Sequence, residues 1–332
     1  MSQQLRVGLI GTGRIGDVHA RSVHAHPDTV LHRVADVFLE SAQRVAGQFG
    51  GEATDNPESL FSSGDIDLVI IASPTSTHID LIDQAIDAGI PALCEKPIDL
   101  DIERVDRLRE KANASSVPIG LGFNRRFDPH FASVHERTQA GEIGQLEQLL
   151  LTSRDPAPAP NDYLAVSGGI FRDMAIHDFD MARFFIPEIV SVSAQGFNQF
   201  SQDIKELGDF DSTAITLRGS KDELVLISNS RHAAYGFDQR LEAFGSVGML
   251  RVENLADLNV RHYGQREVEA RPAYQNFFLE RYLDSYRLEL EEFLKAVRGE
   301  ASRTPTFEDG RMALVLANAA AESAVTGQTV TL

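Results

Sequence analysis

Two groups of residues in this chain have the types and spacing to do chemistry. Asp173 and His177 lie four apart within Gly168-Gly169-Ile170-Phe171-Arg172-Asp173-Met174-Ala175-Ile176-His177-Asp178, so a helix there puts a carboxylate and an imidazole on one face. A carboxylate beside an imidazole fixes the ring's orientation and raises its basicity, as a general base acting on an alcohol requires. The competing structural reading is a helix start with an acidic first turn and a histidine satisfied in the core. Lys96, in Glu95-Lys96-Pro97, follows the short apolar stretch Pro91 to Cys94. If that stretch is a parallel strand, Lys96 stands beyond its carboxyl end, where ligands lie in open α/β sheets. The plain alternative is a lysine paired with Glu95 on a surface turn.

These side chains need a scaffold, and the N-terminus supplies its clearest part. Val7 to Ile10 is an apolar strand running into Gly11-Thr12-Gly13-Arg14-Ile15-Gly16. Gly11 permits the tight turn, Gly13 lets backbone approach a pyrophosphate, and Gly16 lets the next helix pack close to the sheet. The helix start aims free N–H groups at the phosphates. A second strand, Leu31 to Ala35, ends at Asp36, twenty residues past Gly16, where a carboxylate can accept hydrogen bonds from the adenosine ribose hydroxyls. The pattern reads as a dinucleotide site, with NAD favoured because a negative charge at Asp36 opposes the 2′-phosphate of NADP.

The rest of the first part alternates strand and helix. Helices are expected over Ile15 to Ala25, Leu39 to Phe49, Ile79 to Ala88 and Ile102 to Ala114, with strands over Asp67 to Ser73, Pro91 to Pro97 and Ile119 to Phe123. That alternation implies a doubly wound parallel sheet over residues 1–124. Past Phe127 the rhythm changes. After a helix around Phe131 to Ala140 and a strand from Leu146 to Ser153, a proline-rich loop precedes strand-like stretches at Val190 to Ala194, Ser212 to Leu217, Glu223 to Ser228, Gln239 to Phe244, Gly248 to Val252 and Leu258 to His262. Strands in succession favour an antiparallel sheet, so residues 125–332 read as an α+β domain. Two late helices, one carrying Leu283, Tyr286, Leu290, Phe293, Leu294 and Val297 on a single face, are available to cover a sheet or to pack on the first domain.

Composition bounds the partners. The chain has 332 residues, 42% of them hydrophobic, enough for two cores. Its net charge of −18 opposes nucleic acid and anionic membranes as partners. The single cysteine, Cys94, fits a reducing cytoplasm, and neither a membrane span nor the apolar core of a secretory signal is evident. His177, Asp178 and Asp180 could ligate zinc, but one cysteine and no clustered His/Cys spacing argue against a zinc dehydrogenase. No Gly-x-Ser-x-Gly elbow suggests a serine nucleophile.

Taken in order, Gly11 to Gly16 with His19, Ser73-Pro74-Thr75 with His78, Glu95-Lys96-Pro97, Gly122-Phe123-Asn124-Arg125-Arg126-Phe127-Asp128 and Asp173-x-x-x-His177 make the chain resemble the glucose-fructose oxidoreductase, inositol dehydrogenase and rhizopine catabolism (Gfo/Idh/MocA) family over nearly its whole length. The resemblance implies an N-terminal Rossmann domain, a C-terminal open antiparallel sheet serving substrate binding and oligomerisation, and no metal. It implies Lys96, Asp173 and His177 as the catalytic group. It also implies NAD contacts from Gly11, Gly13, Arg14, Ile15, Gly16, Asp36, Ser73, Thr75, His78, Glu95 and Lys96. Within the family the chain is most similar to the inositol 2-dehydrogenase branch, which implies substrate contacts from Asn124, Arg125, Arg154, Asp155, His177 and Tyr235. That branch can carry a histidine just after the first strand of the second domain, where this chain has Ser153 before Arg154. The implied reaction is NAD-dependent oxidation of a cyclic polyol, myo-inositol to 2-keto-myo-inositol (scyllo-inosose), in inositol catabolism by a cytoplasmic homotetramer. Another inositol isomer, an aldose or a sugar derivative is the alternative substrate, and a non-catalytic NAD-binding regulatory protein is the alternative of another class. Whether Lys96 or His177 accepts the proton stays open.

Overall fold

Short, mostly apolar runs and one three-residue polar edge segment become six parallel strands: β1 (Leu5–Ile10), β2 (Thr29–Ala35), the edge strand β3 (Glu52–Thr54), β4 (Leu68–Ile71), β5 (Ala92–Cys94) and β6 (Ile119–Leu121). The computed structural model describes residues 4–332. The six strands are ordered β3-β2-β1-β4-β5-β6, every pairing parallel. The order reverses between β1 and β4, and in a doubly wound sheet the crevice beyond that reversal is where a ligand lies. All four residues of β4 are buried, which is why it reads as an unbroken apolar run.

The chain divides into two units, one of residues up to Phe127 with Leu283–Leu314, the other of Asp128–Tyr282 with Val315–Leu332. The second unit is thus not the continuous stretch 125–332. Within helix Phe278–Val297 the division falls at Tyr282, whose φ of −119° and ψ of 16° leave helical geometry. Beyond it, Leu290, Phe293 and Leu294 are fully buried in the first unit's core with Val7, Leu9 and Leu31. At roughly 1.5–3 kcal/mol per fully buried side chain, those three are reason enough for the segment to return. Leu283, expected on the same face, is exposed instead. Helix Phe307–Thr326 gives Leu316, Ala317 and Ala320 to the second core.

The second unit is built on a seven-stranded sheet of β7 (Leu146–Arg154), β8 (Ile189–Phe197), β9 (Ser212–Gly219), β10 (Leu224–Ser230), β11 (Asp238–Gly245), β12 (Gly248–Val252) and β13 (Val330–Thr331), ordered β12-β11-β7-β10-β9-β8-β13. Period-two alternation sends Leu149, Leu151, Ile215, Leu217, Val225 and Ile227 into the core, while Leu150, Thr152, Ala214, Thr216, Leu226 and Ser228 line the opposite, open face. The sheet is mostly antiparallel, with one exception. β7 lies between β10 and β11 and runs parallel to β10, with Ser230 beside Arg154 at the shared carboxyl end. The expected strand Leu258 to His262 is not formed: Leu258 and Val260 are exposed, and isolated bridges join Ala256 to Tyr274 and His262 to Ala270. Its apolar alternation has no core to face. No helix of the described residues is long and apolar enough to cross a membrane.

Candidate active site

The glycine turn has the geometry that its residue types demand. Gly11 sits at φ +94°, and a Cβ there would come within 2.5 Å of the Ala72 and Ser73 backbone. At Gly16 a Cβ would meet the Gly11 carbonyl at 2.1 Å, so any side chain would push helix Arg14–Ala25 off the turn. Gly13 is different: it is exposed, and apart from itself and its two chain neighbours nothing lies within 4 Å of where its Cβ would be. That vacant space lies against the helix start, which no side chain caps, leaving backbone N–H groups to meet an anion.

Asp36 closes the same turn from β2. Its Oδ2 accepts from Thr12 N at 2.8 Å and Thr12 Oγ1 at 2.6 Å, and its Oδ1 accepts from Phe38 N at 2.9 Å. Partial burial works against the charge, but hydrogen bonds from Thr12 and Phe38, with the nearby Arg44 guanidinium, more than offset it and hold the carboxyl below its ordinary value. Arg44, absent from the sequence reading, donates to Thr12 O at 2.8 Å and pairs with Asp17 at 3.0 Å. Arg33 is turned to Asp65, with Nε to Oδ1 at 2.8 Å. A cleft of about 510 Å³ runs past Gly11, Asp36, Val37, Asp55, Ser73 and Thr77, all in the first unit. The acidic rim, the open space at Gly13 and the helix start together fit a dinucleotide with an unphosphorylated ribose diol.

The Ser73 loop and the Lys96 loop are tied to each other. Ser73 Oγ and Thr77 Oγ1 are 2.7 Å apart in the turn holding Thr75. His78 is buried between the two loops, with Nδ1 2.8 Å from Pro97 O and Nε2 2.9 Å from Ser73 O. Burial pushes this imidazole below its ordinary value, outweighing the two carbonyls and the fields of Glu95 and Asp99. Glu95 is also buried, with Oε1 2.7 Å from His19 Nε2, and a carboxylate oxygen of buried Glu289 lies within 4.8 Å of both groups. A Cβ on Gly122 would come within 3.0 Å of its carboxylate. The polar atoms of His78 and the Oε1 of Glu95 are therefore engaged by protein groups, and both residues support the loops. Lys96, between them, is half-buried, and its N–H lies 3.3 Å from Glu95 Oε2. Asn124 and Arg125 occupy the buried 3₁₀ turn Asn124–Phe127 after β6, where the neighbouring Arg126 pairs with Asp309 at 3.1 Å.

Asp173 and His177 belong to the second unit, and the single helix expected to carry both is two. Asp173 ends the one-turn helix Ile170–Asp173, and His177 is the second residue of helix Ile176–Phe185, with Met174 and Ala175 between. Ile170 O accepts from Met174 N at 3.0 Å and from Ala175 N at 2.9 Å, and the second bond, spanning five residues, widens the turn where the helix stops. Asp173 Oδ1 accepts from Tyr163 Oη at 2.8 Å, and Oδ2 lies 3.4 Å from Arg231 Nη1. Beside His177, buried Asp178 accepts from Ser153 Oγ at 2.6 Å and Asn229 Nδ2 at 2.7 Å, which makes Ser153 and Asp178 partners in a polar network. The carboxyl end of β7 holds Arg154, whose Nη1 donates to Tyr235 Oη at 2.8 Å; Tyr235 in turn donates to Asp238. Asp155 N donates to Ser230 O at 2.9 Å. Arg154, Asp155 and Tyr235 are thus gathered at one end of the sheet.

A 3-2-1-4-5-6 parallel sheet with this turn and acidic cleft, joined in one chain to a mostly antiparallel sheet unit, defines a two-unit dinucleotide-dependent oxidoreductase. Residues 5–123 match the oxidoreductase family with an NAD-binding Rossmann fold, and residues 131–251 match the GFO/IDH/MocA C-terminal domain. The chain belongs to the GFO/IDH/MocA oxidoreductase family, and its first unit carries the NAD-binding fold. It is 43% identical over 320 residues to an inositol 2-dehydrogenase of Rhizobium meliloti (strain 1021), covering 96% of each chain. Its structure resembles the crystal structure of a myo-inositol dehydrogenase from Corynebacterium glutamicum ATCC 13032 with a TM-score of 0.96 at 56% identity, covering 99% of each chain. It also resembles a myo-inositol dehydrogenase from Lactobacillus casei in complex with NAD(H) and myo-inositol, with a TM-score of 0.89 at 25% identity over 99% of this chain and 97% of that one.

Proposed function

We propose that this protein oxidises a secondary alcohol of an inositol with NAD, and that myo-inositol, giving 2-keto-myo-inositol, is its substrate. The observation that carries the reading is the near-complete overlap with inositol 2-dehydrogenases in a chain that holds Lys96, Asp173 and His177. NAD, when bound, supplies the hydride acceptor. Gly11, Gly13, Arg14, Ile15 and Gly16 hold its pyrophosphate, Asp36 its ribose diol, and Ser73 and Thr75 line its path. Lys96 donates to the reacting oxygen, and His177, oriented by Asp173, removes the hydroxyl proton. Asn124, Arg125, Arg154, Asp155 and Tyr235 bind the remaining hydroxyls. In this reading residues 1–124 form the NAD-binding domain and also supply Lys96 and Asn124 to the substrate, while residues 125–332 form the domain that carries the other polyol contacts. The working form is a cytoplasmic homotetramer in inositol catabolism; the open sheet face, where Leu150, Ala214 and Leu226 stand among Thr152, Thr216 and Ser228, supports pairing with a second copy.

The reading is tested by NAD reduction with myo-inositol, scyllo-inositol, glucose and other aldoses at alkaline pH. The highest kcat/KM is expected with myo-inositol. A higher value with another isomer or an aldose overturns the substrate assignment, and tight NADH binding without turnover on any of them points to a regulatory protein.

Cofactor choice follows from Asp36. In this reading its carboxylate faces the ribose diol and repels a 2′-phosphate, while Arg33 is committed to Asp65 and Asp55 adds charge to the rim. NAD is expected to exceed NADP in kcat/KM by at least about tenfold, or about 1.4 kcal/mol. Combining Asp36→Ser with Val37→Arg should narrow or reverse the ratio. Equal efficiencies in the unmodified protein would remove Asp36 from the ribose site.

A further inference from the structure

Arg231 has the largest of the fully buried side chains, 1% exposed, and the chemistry described so far does not use it. It follows β10 directly, and its guanidinium bridges two carboxylates, Nη1 to Asp173 Oδ2 at 3.4 Å and Nη2 to Asp209 Oδ2 at 3.1 Å. Asp209 does a second job. Its Oδ1 accepts from Ile170 N at 2.9 Å, the first residue of the helix that ends in Asp173. A Cβ on Gly169, at φ +84°, would come 2.9 Å from that same oxygen. Asp209 thus seats one end of the helix while Arg231 grips the other.

A helix of four residues cannot hold its own shape, since the first turn fixes several dihedrals for a single hydrogen bond. The direction of the Asp173 carboxylate is therefore imposed from outside, by Tyr163 on Oδ1 and Arg231 on Oδ2. A planar guanidinium suits the bridge because its donors are fixed relative to one another, whereas an ammonium is a point charge on a flexible stem. The parallel pairing of β7 with β10 brings this device to the carboxyl end shared with Arg154 and Asp155. We infer that Arg231 is a positioning residue for the oxidation, setting the carboxylate of Asp173 through a bridge to Asp209. The inference rests on the reading of Asp173 as the residue that orients His177.

The test is a double-mutant cycle on kcat with myo-inositol and NAD. Arg231→Met should lower kcat about tenfold or more with the NADH dissociation constant unchanged, and Arg231→Lys should recover part of the loss. In an Asp173→Asn background, Arg231→Met should cost little further, because the group it acts through is already disabled. Additive losses, or a wild-type kcat in Arg231→Met, overturn the inference. Removing the guanidinium leaves two carboxylates without their bridge; if Arg231→Met fails to fold, the same cycle runs with Arg231→Lys, which keeps the charge but not the planar fork. Full turnover in Asp173→Asn alone is a separate result: it removes Asp173 from the mechanism, and the role of Arg231 with it.

Discussion

Replacing His177 with alanine is expected to lower kcat by about 10²–10⁴, the range for losing a positioned general base, with NADH affinity unchanged. The affinity expectation follows from the fold: the glycine turn, Asp36 and the cleft belong to the first unit, and His177 belongs to the second. His177 also lies in a helix whose core contacts come from Phe179, Ala182 and Phe185, so truncating a half-buried imidazole leaves those contacts in place. The pH dependence of kcat is the discriminating measurement. In His177→Ala the ionisation that governs the acidic limb should vanish, and the residual rate should rise with hydroxide as solvent takes the proton. A profile that keeps the wild-type ionisation assigns the proton to another group. An unchanged kcat removes His177 from the chemistry altogether.

What the sequence made legible were features carried by neighbouring residues. β4 reads as a strand because burial on both faces makes it continuously apolar, and the Gly11-x-Gly13-x-x-Gly16 turn reads as a phosphate site because Cβ atoms at Gly11 and Gly16 would strike backbone. β3 was not legible: three residues at a sheet edge carry too little pattern. The alternation of β8 to β12 identified strands, but strand order rests on long-range pairing, so the parallel β7–β10 contact left no local trace. Leu258 to His262 shows the converse error, an alternating pattern with exposed apolar residues. The site divides in the same way. Glu95-Lys96-Pro97 and the Asp173/His177 spacing stand out in the chain, whereas Arg231 meets Asp173 across 58 residues and Arg44 reaches Thr12 across 32. Partners that far apart have no signature until the fold closes. Even the readable spacing misjudged its local structure, because Met174 and Ala175 split the helix.

Lys96 yields the second large effect, and the structure sets its form. Its loop is clamped on both sides, by His78 against Pro97 O and Ser73 O, and by Glu95 against His19. Removing the lysine side chain leaves those contacts intact, so Lys96→Ala should keep the loop, the fold and the NADH dissociation constant. On the proposed mechanism, what it loses is an ammonium donor at the reacting oxygen. A donor of this kind is worth most as negative charge develops, so the loss should fall on kcat more than on KM. Deleting one such donor typically costs about 10²–10³ in kcat, and Lys96→Ala is expected within that range. Lys96→Arg should not restore the rate fully, because a planar guanidinium cannot occupy the ammonium's place in a loop held this closely. Steady-state kinetics with myo-inositol, together with NADH fluorescence titration, separates the outcomes. A rise in KM at constant kcat would make Lys96 a substrate-binding group only, and weakened NADH binding would make it a support of the cofactor. An unaltered kcat/KM would place the alkoxide-stabilising charge on a different residue.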